Sequence, residues 1–103
     1  MSKRLAFLEK ITQEGSNDPF AWYGLALEYR NLERFDDAVR TFEALRAKSA
    51  DYVPMYLMAA QLFQARGDAA NARAWADEGI AQAKKKGDSH ALSELEQLVT
   101  TLS

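Results

Sequence analysis

The side chains able to carry chemistry are few and scattered. His90 is the only histidine. A metal centre or a nucleophile–base–orienter triad built on it needs convergent partners, and no spacing in the sequence supplies them. It stands at the start of an apolar-periodic stretch, where a solvated imidazole is the plainer reading. Cysteine is absent, which removes disulfides, thiolate ligands and cysteine nucleophiles together. Gly15, Gly24, Gly67, Gly79 and Gly87 are dispersed and form no phosphate-cradling loop. The acidic pairs Asp36-Asp37 and Asp77-Glu78 lack the ligand pattern of a calcium loop. The first pair falls near an expected helix start, where negative charge suits the macrodipole. Lys84, Lys85 and Lys86 end an expected helix, where cations are favoured for the same reason; an acidic partner is the other reading. No catalytic, cofactor or metal site assembles from these residues, and the chain reads as non-enzymatic.

Bulk properties narrow the remaining classes. The chain has 103 residues, 48% of them apolar and 27% charged. That is one domain, 1–103, able to fold but too small for a deep catalytic cleft. Thirteen basic against fifteen acidic side chains leave a net charge of −2, which argues against nucleic acid, because such binding displaces counterions with a basic surface. No membrane partner is expected. The longest uncharged apolar run, from Tyr52 to Ala60, is about half of the roughly 20 residues that a spanning helix requires. Leu5, Ala6, Phe7 and Leu8 are stopped by Glu9 and Lys10, too soon for a secretory signal, so a cytoplasmic location is expected.

The chain repeats itself. A shift of 34 residues lays Trp22 on Tyr56, Leu25 on Ala59, Ala26 on Ala60, Tyr29 on Phe63, Ala38 on Ala72 and Ala47 on Ala81, without a gap. Large falls on large and small on small, although only the three alanine pairs are identical. Each window reads as two helices. Residues 19–32 are apolar on more than one side, so this helix is expected to be contacted from several directions. Asn17 or Asp18 can cap it, and Pro19 suits its first position. Residues 36–48 follow with Ala38, Val39, Phe42 and Leu45 at helical spacing. Residues 52–65 and 69–85 form the second pair, with Gly67 as stop and Asp68 as cap. Gly87 and Asp88 repeat that signal. A helix over 3–14 carries Leu5, Leu8 and Ile11. Another, over 88–102, carries Leu92, Leu95, Leu98, Val99 and Leu102 opposite Glu94, Glu96 and Gln97. The result is six helices, no strand, and connections short enough to make neighbours antiparallel.

Trp22-x-x-Leu25-Ala26-x-x-Tyr29 followed by Ala38-x-x-x-Phe42 resembles the tetratricopeptide repeat, whose length is also 34 residues. Tyr56-x-x-Ala59-Ala60-x-x-Phe63 followed by Ala72-x-x-x-Ala76 is a second copy in register. The resemblance covers repeats at 19–52 and 53–86, with the N-terminal helix 3–14 in register with half of a preceding repeat and 88–102 as a capping helix. Several positions depart from the pattern. Glu33 stands where a turn glycine is usual, Ala50 and Lys84 replace the closing proline, and Leu45 occupies a position that prefers a small residue. Ala76 replaces an aromatic residue, with Trp75 beside it placed to supply the volume. The resemblance implies an all-α fold, a right-handed α-solenoid of antiparallel helix pairs, that acts as a protein-protein interaction scaffold.

It also implies which residues face a partner. In such arrays the first helix of each pair lines a concave surface. The matching positions are Phe20, Tyr23, Leu27, Arg30 and Asn31, then Pro54, Leu57, Gln61, Gln64 and Ala65. Phe20, Tyr23, Leu27 and Leu57 would supply apolar burial, and Arg30, Asn31, Gln61 and Gln64 polar selectivity, to a bound peptide or helix. Tyr23, Leu27 and Met58 stand where some relatives carry a carboxylate clamp, so binding of chaperone tails by that clamp is not expected. Two other readings stay open. A terminal helix can cover the same residues, or a second copy can, giving a homodimer through this face or through Leu92, Leu95, Val99 and Leu102.

Overall fold

Apolar side chains at three- and four-residue spacing, closed off by Asp, Pro and Gly, set the secondary structure. A computed structural model describes residues 2–102. Among them are six helices and no strand: α1 (Lys3–Gln13), α2 (Pro19–Asn31), α3 (Phe35–Lys48), α4 (Pro54–Ala65), α5 (Ala69–Lys86) and α6 (Ser89–Thr101). The expected boundaries hold to within a residue except at the start of α4. There Pro54 is the first helical residue, and Tyr52 and Val53 stay in the connection. Proline lacks the N–H that an interior position would bond, so it opens the helix. Leu32, expected inside the second helix, is its C-cap and 42% exposed.

Side chains start most of the helices. Ser2 Oγ accepts the Leu5 N–H at 3.1 Å, and Asp18 Oδ1 accepts the Phe20 N–H at 3.0 Å. Asp68 and Asp88 do the same for the Asn71 and Ala91 N–H groups, at 3.1 and 3.0 Å. These acceptors satisfy donors that have no partner within the helix. Asn71 also bonds Asp68 through its side chain, and these bonds hold the Asp68 carboxyl below the ordinary value. The turn between α4 and α5 is closed by Gly67 at φ 77°. Its counterpart between α2 and α3 is Glu33 at φ 60°, the one non-glycine among the described residues at positive φ. Glutamate there carries the steric penalty that glycine avoids.

The chain divides after Ala50 into two compact units, α1–α3 and α4–α6. In the first, α2 packs against both α1 and α3. Leu5, Leu8 and Thr12 are the buried residues of α1, and Ile11, expected on that stripe, is half-buried. Thr12 buries its hydroxyl without loss by donating to the Leu8 carbonyl at 2.8 Å. Across to α2, the Tyr29 hydroxyl donates to Glu9 Oε2 at 2.5 Å. Burial first, then this hydrogen bond and the Glu9 charge, push the phenol from 10.0 up to about 12, against the opposing Arg34 charge. The Arg34 guanidinium lies 4.8 Å from the Tyr29 ring centroid, and it also bonds Asp37. Burial raises the Asp37 carboxyl, but the bonds and charges of Arg34 and Arg40 outweigh it and hold it below its ordinary value. Trp22 donates from Nε1 to the Ser16 carbonyl at 2.8 Å, with Lys48 Nζ 5.0 Å from its ring centroid.

In the second unit, α5 packs against α4 and α6, and α6 also touches α4. Met55, Tyr56, Ala59 and Ala60 of α4 are fully buried. Gly79 lets α5 reach this core: a Cβ there would sit 2.5 Å from Tyr56 Cβ and 3.0 Å from a Leu95 methyl. Trp75 lies beside Tyr56 with ring centroids 6.0 Å apart, and the Tyr56 hydroxyl donates to Glu78 Oε2 at 3.1 Å. A buried phenol thereby keeps a partner for its polar end. Leu95 is 1% exposed and Leu98 is buried, while Leu92, Val99 and Leu102 are half-buried. Within the stripe Leu92, Leu95, Val99 and Leu102, considered as a dimer face, Leu95 is therefore occupied internally.

Candidate functional site

The residues expected at a binding surface divide between the two units. In the first unit, Phe20 stands one residue after Pro19 on the opening turn of α2 and is 61% exposed. Tyr23, Leu27 and Arg30 are half-buried, and Asn31 is exposed. Arg30 donates weakly to Asn31 Oδ1 at 3.4 Å. Phe20 shares a cleft of about 250 Å3 with Ala21 and Gly24 of α2 and with Arg4, Leu8 and Ile11 of α1; Asp18 closes one end. α1 lies close over Gly24: a Cβ there would make ordinary van der Waals contact with Arg4 Nη2 at 3.5 Å and with both Leu8 methyls at 3.6 and 3.7 Å.

In the second unit, Leu57, Gln61 and Gln64 come together on α4 at the i, i+4, i+7 spacing of one helix face. They line one wall of a cleft of about 310 Å3, and Glu94, Gln97, Leu98 and Thr101 of α6 line the other. Gln64 Nε2 donates to Thr101 Oγ1 at 2.8 Å and ties the two walls together. Leu57 is half-buried and Gln61 exposed, so the cleft offers an apolar floor beside amides that both donate and accept. Pro54 and Ala65, at the two ends of α4, are exposed and line neither this cleft nor the other.

The α6 wall was not among the residues expected at a site. Glu94 and Gln97 were legible only as the polar side of a capping helix, and nothing in the sequence says that this side looks across at α4. Phe7 was missed as well. It is 62% exposed, the highest among the large apolar side chains of the described residues. The available signal was its position off the Leu5–Leu8–Ile11 stripe.

His90 is exposed and pairs with Glu94 one turn on, at 3.1 Å. Among the described residues no group of three or more His, Cys, Asp or Glu side chains converges for a metal, and no helix is long and apolar enough to cross a membrane.

No protein-family profile matches the chain, and no curated protein matches its sequence. Solved structures do match. The chain is similar to a protein of Bordetella parapertussis with a TM-score of 0.83 and 25% identity, over 99% of this chain and 89% of that one. It is also similar to a tetratricopeptide repeat domain protein of Salinibacter ruber, solved in solution, with a TM-score of 0.79 and 29% identity over 84% and 87% of the two chains. A crystal structure of a Salinibacter ruber tetratricopeptide repeat domain protein gives 0.77 and 29%, over 82% and 96%.

The fold is therefore all-α and tetratricopeptide-like, a helical repeat of the kind the residue pattern resembles. Neighbours of this fold are typically non-catalytic scaffolds, and the fold suggests a protein-interaction module with protein partners.

Proposed function

We propose that the chain is a non-enzymatic interaction module that binds an extended peptide, with the cleft between α4 and α6 as its principal anchor. The observation that carries this reading is the meeting of Leu57, Gln61 and Gln64 with Gln97, Leu98 and Thr101 around one cleft. An extended peptide presents main-chain N–H and C=O groups in alternation, and glutamine amides offer an acceptor and a donor to match them. Leu57 and Leu98 take an apolar side chain from the same peptide. Phe20, Tyr23, Leu27, Arg30 and Asn31, on α2 of the first unit, are proposed as a second and separate contact surface. On that surface Arg30 would read a ligand carboxylate, since a guanidinium pairs with one bidentately.

Selection from a random-sequence peptide display library against the intact chain tests this directly. Peptides recovered on the native chain should lose binding to Leu57→Lys and to Gln61→Ala, while circular dichroism shows the helices retained. Recovery of no peptide, or of peptides indifferent to both substitutions, contradicts the reading.

A further inference from the structure

The apolar side chains left most exposed all lie in the first unit: Phe7 at 62%, Phe20 at 61% and Leu32 at 42%. Phe7 and Phe20 flank one feature. Phe7 sits one turn before Ile11 on α1, and Ile11 lines the 250 Å3 cleft that Phe20, Leu8, Ala21 and Gly24 complete. A large projecting side chain thus stands one turn from a hollow that is apolar apart from Arg4 and Asp18.

The charges around that feature are ordered. Lys3, Phe7 and Lys10 of α1 and its C-cap Glu14 follow one another at i, i+4, i+7 and i+11, and all four are exposed. Lys3 makes one end of the face basic, while Arg4 beside it pairs with Glu28 of α2 at 3.3 Å. Glu14 makes the other end acidic, and Asp18, where α2 begins, lies at that same end. At 1.5 Å per residue the two ends are about 16 Å apart. Such a face is self-complementary only when turned end for end. An antiparallel copy sets Lys3 against Glu14 and Glu14 against Lys3, and brings each Phe7 opposite the Lys10–Ile11 turn of the other, beside the cleft that Ile11 lines. A two-fold contact of this kind also gives each copy a projection and a hollow to exchange.

We infer that α1 carries a homodimer interface, in which a second copy docks antiparallel across Phe7 with Phe7 of each entering the α1–α2 cleft of the other. This surface is separate from the α4–α6 cleft. It uses none of Leu57, Gln61 and Gln64, so loss of the dimer on Phe7→Glu and loss of peptide binding on Leu57→Lys are distinguishable outcomes.

Sedimentation equilibrium of the intact chain over a wide concentration range tests the interface. A monomer–dimer equilibrium is expected. Phe7→Glu should weaken it by at least about thirtyfold, since it replaces a central aromatic by a charge. Lys3→Glu sets glutamate against Glu14 and should weaken it by about three- to tenfold at low salt. The double change Lys3→Glu with Glu14→Lys reverses both ends and should restore the native value, which a misfolded variant would not do. A chain monomeric at every concentration overturns the inference. So does a dimer indifferent to Phe7→Glu, or one that the double change fails to rescue.

Discussion

The second helices of the two repeats fill the same place in opposite ways. At matched positions α3 carries Thr41, Phe42 and Leu45, whereas α5 carries Trp75, Ala76 and Gly79. All six are buried. In α3 the bulk is divided between a phenylalanine and a leucine. In α5 it is concentrated in one tryptophan, and the other two positions have shrunk until a backbone can press against Tyr56. Interiors pack as densely as crystals of small molecules, so volume lost at one position must reappear at a neighbour. A repeat can therefore drift almost beyond sequence identity and keep its helix pair. The turns differ in a complementary sense. Gly67 takes its positive φ freely, whereas Glu33 holds nearly the same angle against its own Cβ.

Breaking the concentrated arrangement should have the largest effect. Trp75→Ala removes most of the volume from its set and is expected to destabilise by about 3–5 kcal/mol in denaturant titration. Gly79→Ala comes next. The added Cβ meets a Cβ fixed to the α4 backbone, not the end of a flexible chain. Such overpacking should cost about 1–3 kcal/mol in the same titration. The matched change in the first repeat, Leu45→Ala, creates a cavity instead, so the two sites fail by opposite mechanisms. Glu33→Gly should act the other way and raise stability by about 1 kcal/mol, read as a higher melting temperature, because it relieves the left-handed strain.

Tyr29→Phe removes the hydrogen bond to Glu9, and its distinguishing signature lies in alkali. The folded state keeps the Tyr29 proton up to about pH 12, whereas the unfolded chain releases it near 10.0. The Tyr29 contribution to stability should be fully present below pH 10 and be lost as pH rises from there through about 12. Tyr29→Phe should flatten that decline in pH-dependent unfolding, and an unchanged decline would mean that another group controls it.

Helix positions were legible because the signals are local. Asp18, Asp68 and Asp88 act as caps, Gly67 and Gly87 as stops, and the 34-residue register survives in side-chain size. α4 begins at Pro54, two residues later than the pattern predicts, because an apolar run continues on both sides of that proline. Elsewhere packing decides, where local sequence carries no signal. Leu57, Gln61 and Gln64 were named for their place in the repeat, but Gln97, Leu98 and Thr101 become their neighbours only through packing of α6 on α4. Phe7 was equally hidden, since a single aromatic off the main stripe carries no periodic signal.

The most direct measurement is an amide-resolved NMR titration of the intact chain with a display-selected peptide. The expected result is saturable shifts at Leu57, Gln61 and Gln64 together with Gln97 and Thr101, abolished by Leu57→Lys. Saturable shifts confined to the outer residues of α3 and α5, with the α4–α6 cleft unmoved, would contradict the assignment of that cleft as the peptide anchor.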